Sequence, residues 1–260
     1  MSFPFFKVES RPILIAHRGA SGYAPENTLA AFKLALDMGA RFVELDVHQT
    51  KDGQIVVIHD DNLKKFARVK KKVAQMTVEE IAKVAIDGHW DKRYAHERIP
   101  TLEDVLTLIA RRAVVDVEIK GSDNLYPGIE EKVLAILERK GYNGMSYISS
   151  FNIKRLERAR ELSSTMHLGY LMGVKPLAVV IKEMRDLRCD ALLVSRRQAN
   201  RTLIQKAHQR GFHVGVYTVN MKSQWDEMAT RRVDAIFTDY PDILGLPEYQ
   251  EPTLGLTNGE

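Results

Sequence analysis

Short apolar segments alternate with helical patterns along nearly all of the 260-residue chain, and this alternation restricts the fold more than any single motif. The strand-like segments are Ile13–Ala16, Phe42–His48, Val114–Ile119, Ser146–Ser149, His167–Leu171, Ala191–Ser195, His213–Val219 and Ala235–Thr238. Between them apolar residues recur at helical spacing. Leu29, Phe32 and Leu36 precede Gly39, a C-cap residue; Val105, Leu108 and Ile109 follow Pro100-Thr101; Ile129, Val133, Ile136 and Leu137 stop at Gly141. Repeated strand–helix units give parallel strands with right-handed crossovers.

One more segment, Ile55–His59, follows its predecessor after only Thr50–Gln54, which is too short for a crossover helix. Asp52-Gly53 is a two-residue hairpin signal, so this strand is antiparallel and outside the parallel set. Eight strands remain, spaced about 20–35 residues apart except after the hairpin, where Asp60 to Pro100 adds roughly 40 residues, and they predict an α/β fold: a (β/α)8 TIM barrel with a small insertion after a β-hairpin arm. The expected organisation is one domain over residues 1–260, an insertion at 60–100 over the barrel mouth, and a loose C-terminal tail at 247–260.

Composition narrows the class. With 45% hydrophobic and 28% charged residues the chain reads as globular, and no apolar run reaches the roughly 18–20 residues of a membrane span. Stable membrane insertion is therefore not expected. The opening Met1–Phe6 is apolar but too short for a signal peptide, and Cys189, the sole cysteine, cannot form an internal disulfide. Cytoplasm is the expected compartment. The net charge of +4 owes much to Lys64, Lys65, Arg68, Lys70, Lys71 and Lys72, read as a solvated face or an anion-attracting rim. No nucleic-acid motif or interleaved aromatics accompany them, so no nucleic-acid partner is expected. Gly-x-Ser-x-Gly, Walker, dinucleotide and His-Glu-x-x-His motifs are absent.

Strand parity concentrates the chemistry. Phe42, Glu44, Asp46 and His48 share one face of their strand, Val43, Leu45 and Val47 the other. The acidic face is expected inside the barrel, near the C-terminal end where barrel active sites lie. Val114–Lys120 repeats the pattern and turns Asp116, Glu118 and Lys120 inward. Converging carboxylates stay ionised only if compensated, either by Arg18 and Lys120 or by a bound cation. Hard oxygen ligands with open positions suit Mg2+ or Ca2+, and Glu44, Asp46 and Glu118 are the expected metal ligands.

His17-Arg18 ends the first strand and leads into Gly19-Ala20-Ser21-Gly22, small residues that allow close approach of a phosphate. With Asp52-Gly53 as a two-residue loop, Lys51 pairs with Gln54 and Asp46 lies opposite His59. His48 is expected beyond the metal layer, and His89, His96, His167, His208 and His213 as structural or exposed. Cys189 is expected to be a buried small residue rather than a nucleophile.

In combination these residues resemble the glycerophosphodiester phosphodiesterases, particularly the compact bacterial cytosolic kind. The matching motifs are His17-Arg18, Glu44-Leu45-Asp46 and His59-Asp60, then Ala24-Pro25-Glu26-Asn27-Thr28, Ile99-Pro100-Thr101-Leu102, Glu118-Ile119-Lys120, Ser150-Phe151 and Thr238-Asp239-Tyr240-Pro241. The resemblance implies metal-dependent hydrolysis of a glycerophosphodiester to glycerol 3-phosphate and an alcohol. It implies His17 and His59 as the acid/base pair, with His59 favoured as the acid. Arg18 and Lys120 would bind phosphate, and Glu44, Asp46 and Glu118 the metal. The partner is then a small-molecule diester; self-association stays open. Two departures stand out. Leu63-Lys64-Lys65-Phe66-Ala67-Arg68 replaces the usual Leu-x-Arg-Thr-Thr stretch, and Tyr217 stands where relatives often carry Trp. Alternatives are a lysophospholipase D-like enzyme acting on larger phosphodiesters and a non-catalytic phosphoester-binding barrel.

Overall fold

A computed structural model describes residues 12–67, 69–86, 90–122 and 124–243. Its strands are β1 (Ile13–His17), β2 (Phe42–Gln49), β3 (Ile55–Val57), β4 (Asn62–Leu63), β5 (Val69–Lys72), β6 (Val114–Ile119), β7 (Ser146–Ser150), β8 (His167–Leu171), β9 (Ala191–Ser195), β10 (His213–Tyr217) and β11 (Ala235–Thr238). The helices are α1 (Leu29–Asp37), α2 (Lys64–Ala67), α3 (Val78–Ala82), α4 (Leu102–Ile109), α5 (Ile129–Arg139), α6 (Ile153–Leu162), α7 (Leu177–Asp186), α8 (Arg201–His208) and α9 (Lys222–Thr230).

Eight parallel strands close in the ring order β1-β2-β6-β7-β8-β9-β10-β11, with β11 returning to β1. This is the expected (β/α)8 barrel, and β3 lies outside the ring, antiparallel to the end of β2. Period-2 alternation sorts the residues as expected. Ile13, Ile15, Phe42, Val114, Leu193 and Phe237 fill the barrel interior. Leu14, Val43, Leu45, Val47, Val115 and Val117 join the layer under the helices. Gly215 is required by this interior packing, since a Cβ there would lie 2.7 Å from the Leu193 side chain and 3.0 Å from Phe237.

The hairpin departs from expectation by one residue. Val47 pairs with Val57, His48 with Val56 and Gln49 with Ile55, and the Ile58 N–H donates to the Asp46 carbonyl at 3.0 Å. Ile58, not His59, is therefore opposite Asp46. The loop is one residue longer than a two-residue turn: Thr50 N–H bonds Gln54 O, and Gly53 takes the left-handed conformation at φ +82°. A three-residue loop closed by a left-handed glycine is the next commonest hairpin solution.

Between β3 and α4, residues Leu63, Val73, Met76, Ile81, Ile86 and Ile99 bury a small separate core against Val56 and Ile58. The lysines of this stretch are exposed, and Lys65, Lys71 and Lys72 pair with Glu26, Glu80 and Asp61. Expectations for Met1–Phe6, Arg68, His89 and the 247–260 tail lie outside the described residues. Cys189 is buried, and that burial pushes its thiol up to about 12, leaving it inert. Among the described residues no helix is long and apolar enough to cross a membrane.

Candidate active site

At the C-terminal end of the barrel a cavity of ≈ 140 Å³ is lined by His17, Arg18, Glu44, His59, Glu118 and Lys120 together with Asp116, Ser149, Phe151, Leu171, Tyr217 and Phe237. Strand register brings them together. His17 on β1 is level with Glu44 on β2, and Glu44 with Asp116 on β6; one layer further along, Asp46 is level with Glu118. Neighbouring strands lie about 4.8 Å apart, so these side chains meet without any loop having to reach.

His59 arrives differently. Continued pairing would give it the parity of Val57, which faces the helix layer. Instead β3 ends at Val57 and the bend that follows carries the ring to the cavity. His48 secures that bend: its Nε2 donates to the His59 carbonyl at 3.0 Å, and the Tyr126 hydroxyl donates to its Nδ1 at 2.7 Å. Burial lowers the His48 pKa and keeps the ring in this neutral bonding state.

Each lining histidine has an aspartate on Nδ1. His17 Nδ1 donates to Asp239 Oδ1 at 2.7 Å, and His59 Nδ1 to Asp60 Oδ1 at 2.8 Å. Both rings are thereby held in the tautomer whose Nε2 is left for a ligand. Ser21 and Asn220 donate to Asp239 in turn, so the carboxylate that orients His17 is itself fixed. Asp239, Asn220 and Asp60 were missed as site residues in the sequence. Asp239 follows the last barrel strand directly, and that position is the signal that marks it.

Asp46 is the hub of the charged network rather than part of the cavity wall. It is fully buried, with Lys120 Nζ 2.9 Å from Oδ1 and Arg18 Nε 3.2 Å from Oδ2, and Asn27 Nδ2 donates to Oδ2 at 2.8 Å. Despite burial, Lys120 and Arg18 hold its carboxyl well below the usual range. Lys120 also contacts Glu118 Oε1 at 2.7 Å, and Arg18 reaches Glu26 at 3.2 Å. Among the described residues, Glu44 has only the Arg18 backbone N–H, at 3.0 Å, and His17 Nε2, at 4.0 Å. Burial, and next the Asp46 charge, push its carboxyl well above the ordinary value. Burial likewise brings Glu118 to about 7.

This imbalance is what a divalent cation would relieve. Ligand oxygens of Glu44, Asp46 and Glu118 all lie within 4.8 Å of one another, and two nearby cationic side chains leave the cluster short of positive charge. An all-carboxylate donor set fits a hard ion. Asp116 is not in this group; burial raises its carboxyl well above the ordinary value, and its Oδ1 accepts from Ser149.

The glycines after His17-Arg18 serve packing. Arg18 and Gly19 both adopt left-handed conformations, at φ +57° and +81°, which turns the chain sharply back against α1. A Cβ on Gly19 would fall 2.6 Å from the Ala31 carbonyl carbon, and one on Gly22 would clash with the Tyr240 ring. Gly19→Ala should therefore cost roughly 2–4 kcal/mol in urea unfolding. Gly211→Ala, at φ +80° with nothing within 4 Å, should cost only about 1 kcal/mol. Equal losses would show that backbone conformation, not the approach of α1, sets the requirement.

Three further histidines, His167, His208 and His213, lie away from this end. His167 contacts Asp190, and His208 and His213 contact Asp234, around the N-terminal ends of the strands; His96 is exposed.

Residues 17–243 match the glycerophosphoryl diester phosphodiesterase family. The chain is 36% identical over 233 residues to YhdW of Bacillus subtilis, covering 89% of this chain and 96% of that protein. It is 35% identical over 237 residues to a glycerophosphodiester phosphodiesterase of Caldanaerobacter subterraneus subsp. tengcongensis, covering 90% and 96%. An Oleispira antarctica phosphodiesterase solved in complex with sn-glycerol-3-phosphate has the same fold, with a TM-score of 0.87 at 27% identity over 94% of this chain and 98% of that one. The chain belongs to the glycerophosphoryl diester phosphodiesterase family and is an enzyme of phosphodiester hydrolysis.

Proposed function

We propose that this enzyme hydrolyses glycerophosphodiesters to glycerol 3-phosphate and an alcohol, with Glu44, Asp46 and Glu118 holding Mg2+ or Ca2+. The observation that carries the reading is the pair of aspartate-locked imidazoles facing one buried acidic cluster. A protein that only bound phosphoesters would have no use for two histidines fixed in one tautomer. The bound ion would act as a Lewis acid on the phosphoryl oxygens.

Arg18 and Lys120, both lining the cavity, take the phosphate oxygens and neutralise charge that builds on them. Each stays protonated because the carboxylates outweigh the effect of burial. His17 removes the proton from the nucleophile, either water or a neighbouring substrate hydroxyl, and His59 protonates the departing alkoxide. Burial lowers the pKa of free His59, whereas an anionic phosphate beside it acts in the opposite direction. Substrate binding and protonation of His59 thus favour each other, as an acid requires.

Phe151, Leu171, Tyr217 and Phe237 form the apolar wall on which the glycerol carbons rest. The cavity is smaller than the roughly 300–1,000 Å³ of drug-sized ligand sites, so the alcohol half projects outward and is loosely specified. Residues 60–100 are assigned as an insertion over one side of the mouth, supported by the Lys65–Glu26 pair and the Glu97 bond to the Ala30 N–H. A coupled assay for glycerol 3-phosphate release from glycerophosphocholine, glycerophosphoethanolamine and glycerophosphoglycerol tests the substrate class. Release from all three, within about tenfold of one another, is expected. Release from none of them contradicts it.

A further inference from the structure

Phe151, Val174, Val179 and Met221 are exposed large apolar residues, with Val174 fully open at 105% of its reference area. Scattered apolar side chains on a surface need no explanation. These are not scattered. Phe151 follows β7, Val174 and Val179 follow β8, and Met221 follows β10, so all stand on mouth-side loops or helix starts within the run β7-β8-β9-β10. Of the remaining exposed large apolar residues, Tyr23 is also on a mouth loop, and Leu162, at the end of α6, is not.

Between these loops, Arg196 and Arg197 follow β9 directly. Arg197 is exposed and Arg196 half-buried, and neither guanidinium has an ion-pair partner among the described residues. On the helices that follow these loops, Glu183 of α7 is paired by Lys175 and Asp226 of α9 by Lys222. The arc is thus apolar with free positive charge. Phe151 belongs both to it and to the catalytic cavity.

We infer that this arc of the barrel mouth docks on an anionic lipid surface, apolar tips entering the headgroup region and Arg196 and Arg197 meeting lipid phosphates. Docked this way, the cavity opens at headgroup level, where diesters still carrying an acyl chain are found. The inference rests on the hydrolytic reading above for that last step only. Charge complementarity selects a lipid surface over a neutral apolar partner.

Co-sedimentation of the full chain with vesicles of equimolar phosphatidylglycerol and phosphatidylcholine, compared with phosphatidylcholine alone, tests the docking. Binding to the anionic vesicles is expected. It should weaken by at least about tenfold in the Arg196→Glu/Arg197→Glu variant. Val174→Ser/Met221→Ser should weaken it as well, with turnover of dissolved glycerophosphocholine unchanged in both variants. Lys64→Glu/Lys70→Glu, in the 60–100 segment, should leave binding within about twofold. Absence of anionic-vesicle binding, equal binding by all variants, or loss confined to the lysine variant overturns the inference. So does a dimer in solution that the arc substitutions dissociate, which would assign the arc to a second copy of the chain. Vesicle binding needs no turnover, so its failure leaves the hydrolytic reading intact, and a failure of glycerophosphocholine turnover leaves the docking result readable.

Discussion

Alanine at His17 or at His59 should lower kcat on glycerophosphocholine by about 10²–10⁴, with KM and thermal stability little changed. Neither ring belongs to the apolar core, and each bonds mainly to its own aspartate, so removal empties part of the cavity and leaves the barrel standing. The two variants should differ in one respect. A nitrophenolate leaves without a proton, so a nitrophenyl ester of glycerol phosphate needs no acid. His59→Ala should regain most of its lost rate on that substrate, and His17→Ala should not. Rescue of His17→Ala instead would exchange the two roles, and near-unsubstituted turnover by both variants on glycerophosphocholine would remove histidine catalysis from the account.

Asp46→Asn and Glu44→Gln should have very unequal effects on the fold although both abolish turnover. Asp46, itself fully buried, compensates two half-buried cations, and taking its charge away leaves Arg18 and Lys120 inadequately paired. About 3–5 kcal/mol of stability should be lost. Burial and the Asp46 charge raise the Glu44 carboxyl when no cation is bound, so an uncharged glutamine of the same size is expected to be tolerated, with stability within about 0.5 kcal/mol. The same logic gives a pH dependence. Glu118 rises from its ordinary 4.5 to about 7 in the metal-free fold, so across that window the folded protein binds more protons than the unfolded chain. Metal-free stability should therefore fall as pH rises from about 4.5 to 7, and added Mg2+ or Ca2+ should flatten the slope. Urea midpoints at a series of pH values check both statements. Equal destabilisation by the two substitutions, or a slope that rises with pH through this window, would contradict the charge balance described for the cluster.

What was legible in the sequence was whatever a strand's own periodicity encodes. Glu44 and Asp46 alternate with Leu45 and Val47, Glu118 alternates with Val117 and Ile119, and the barrel sorts them inward and outward accordingly. The hairpin register was not legible, because Asp52-Gly53 suits a two-residue or a three-residue loop and long-range pairing decides between them. His59 still reached the cavity because β3 stops short, which no local pattern announces. The aspartate that orients His17 lies 222 residues further along, and Asn27, which bonds Asp46, comes from the loop before α1. Such partners are products of ring closure. For the same reason the sequence could mark Asp46 as a candidate ligand but not as the buried anchor of Arg18 and Lys120.

The most direct test is glycerol 3-phosphate release from glycerophosphocholine by enzyme stripped with a chelator and then titrated with Mg2+ or Ca2+. The expected result is no release after stripping and full recovery with one of the two ions in the unsubstituted enzyme, with no recovery in Glu44→Gln at the same concentrations. Release that persists unchanged in the stripped enzyme would contradict the assignment of Glu44, Asp46 and Glu118 as a metal site.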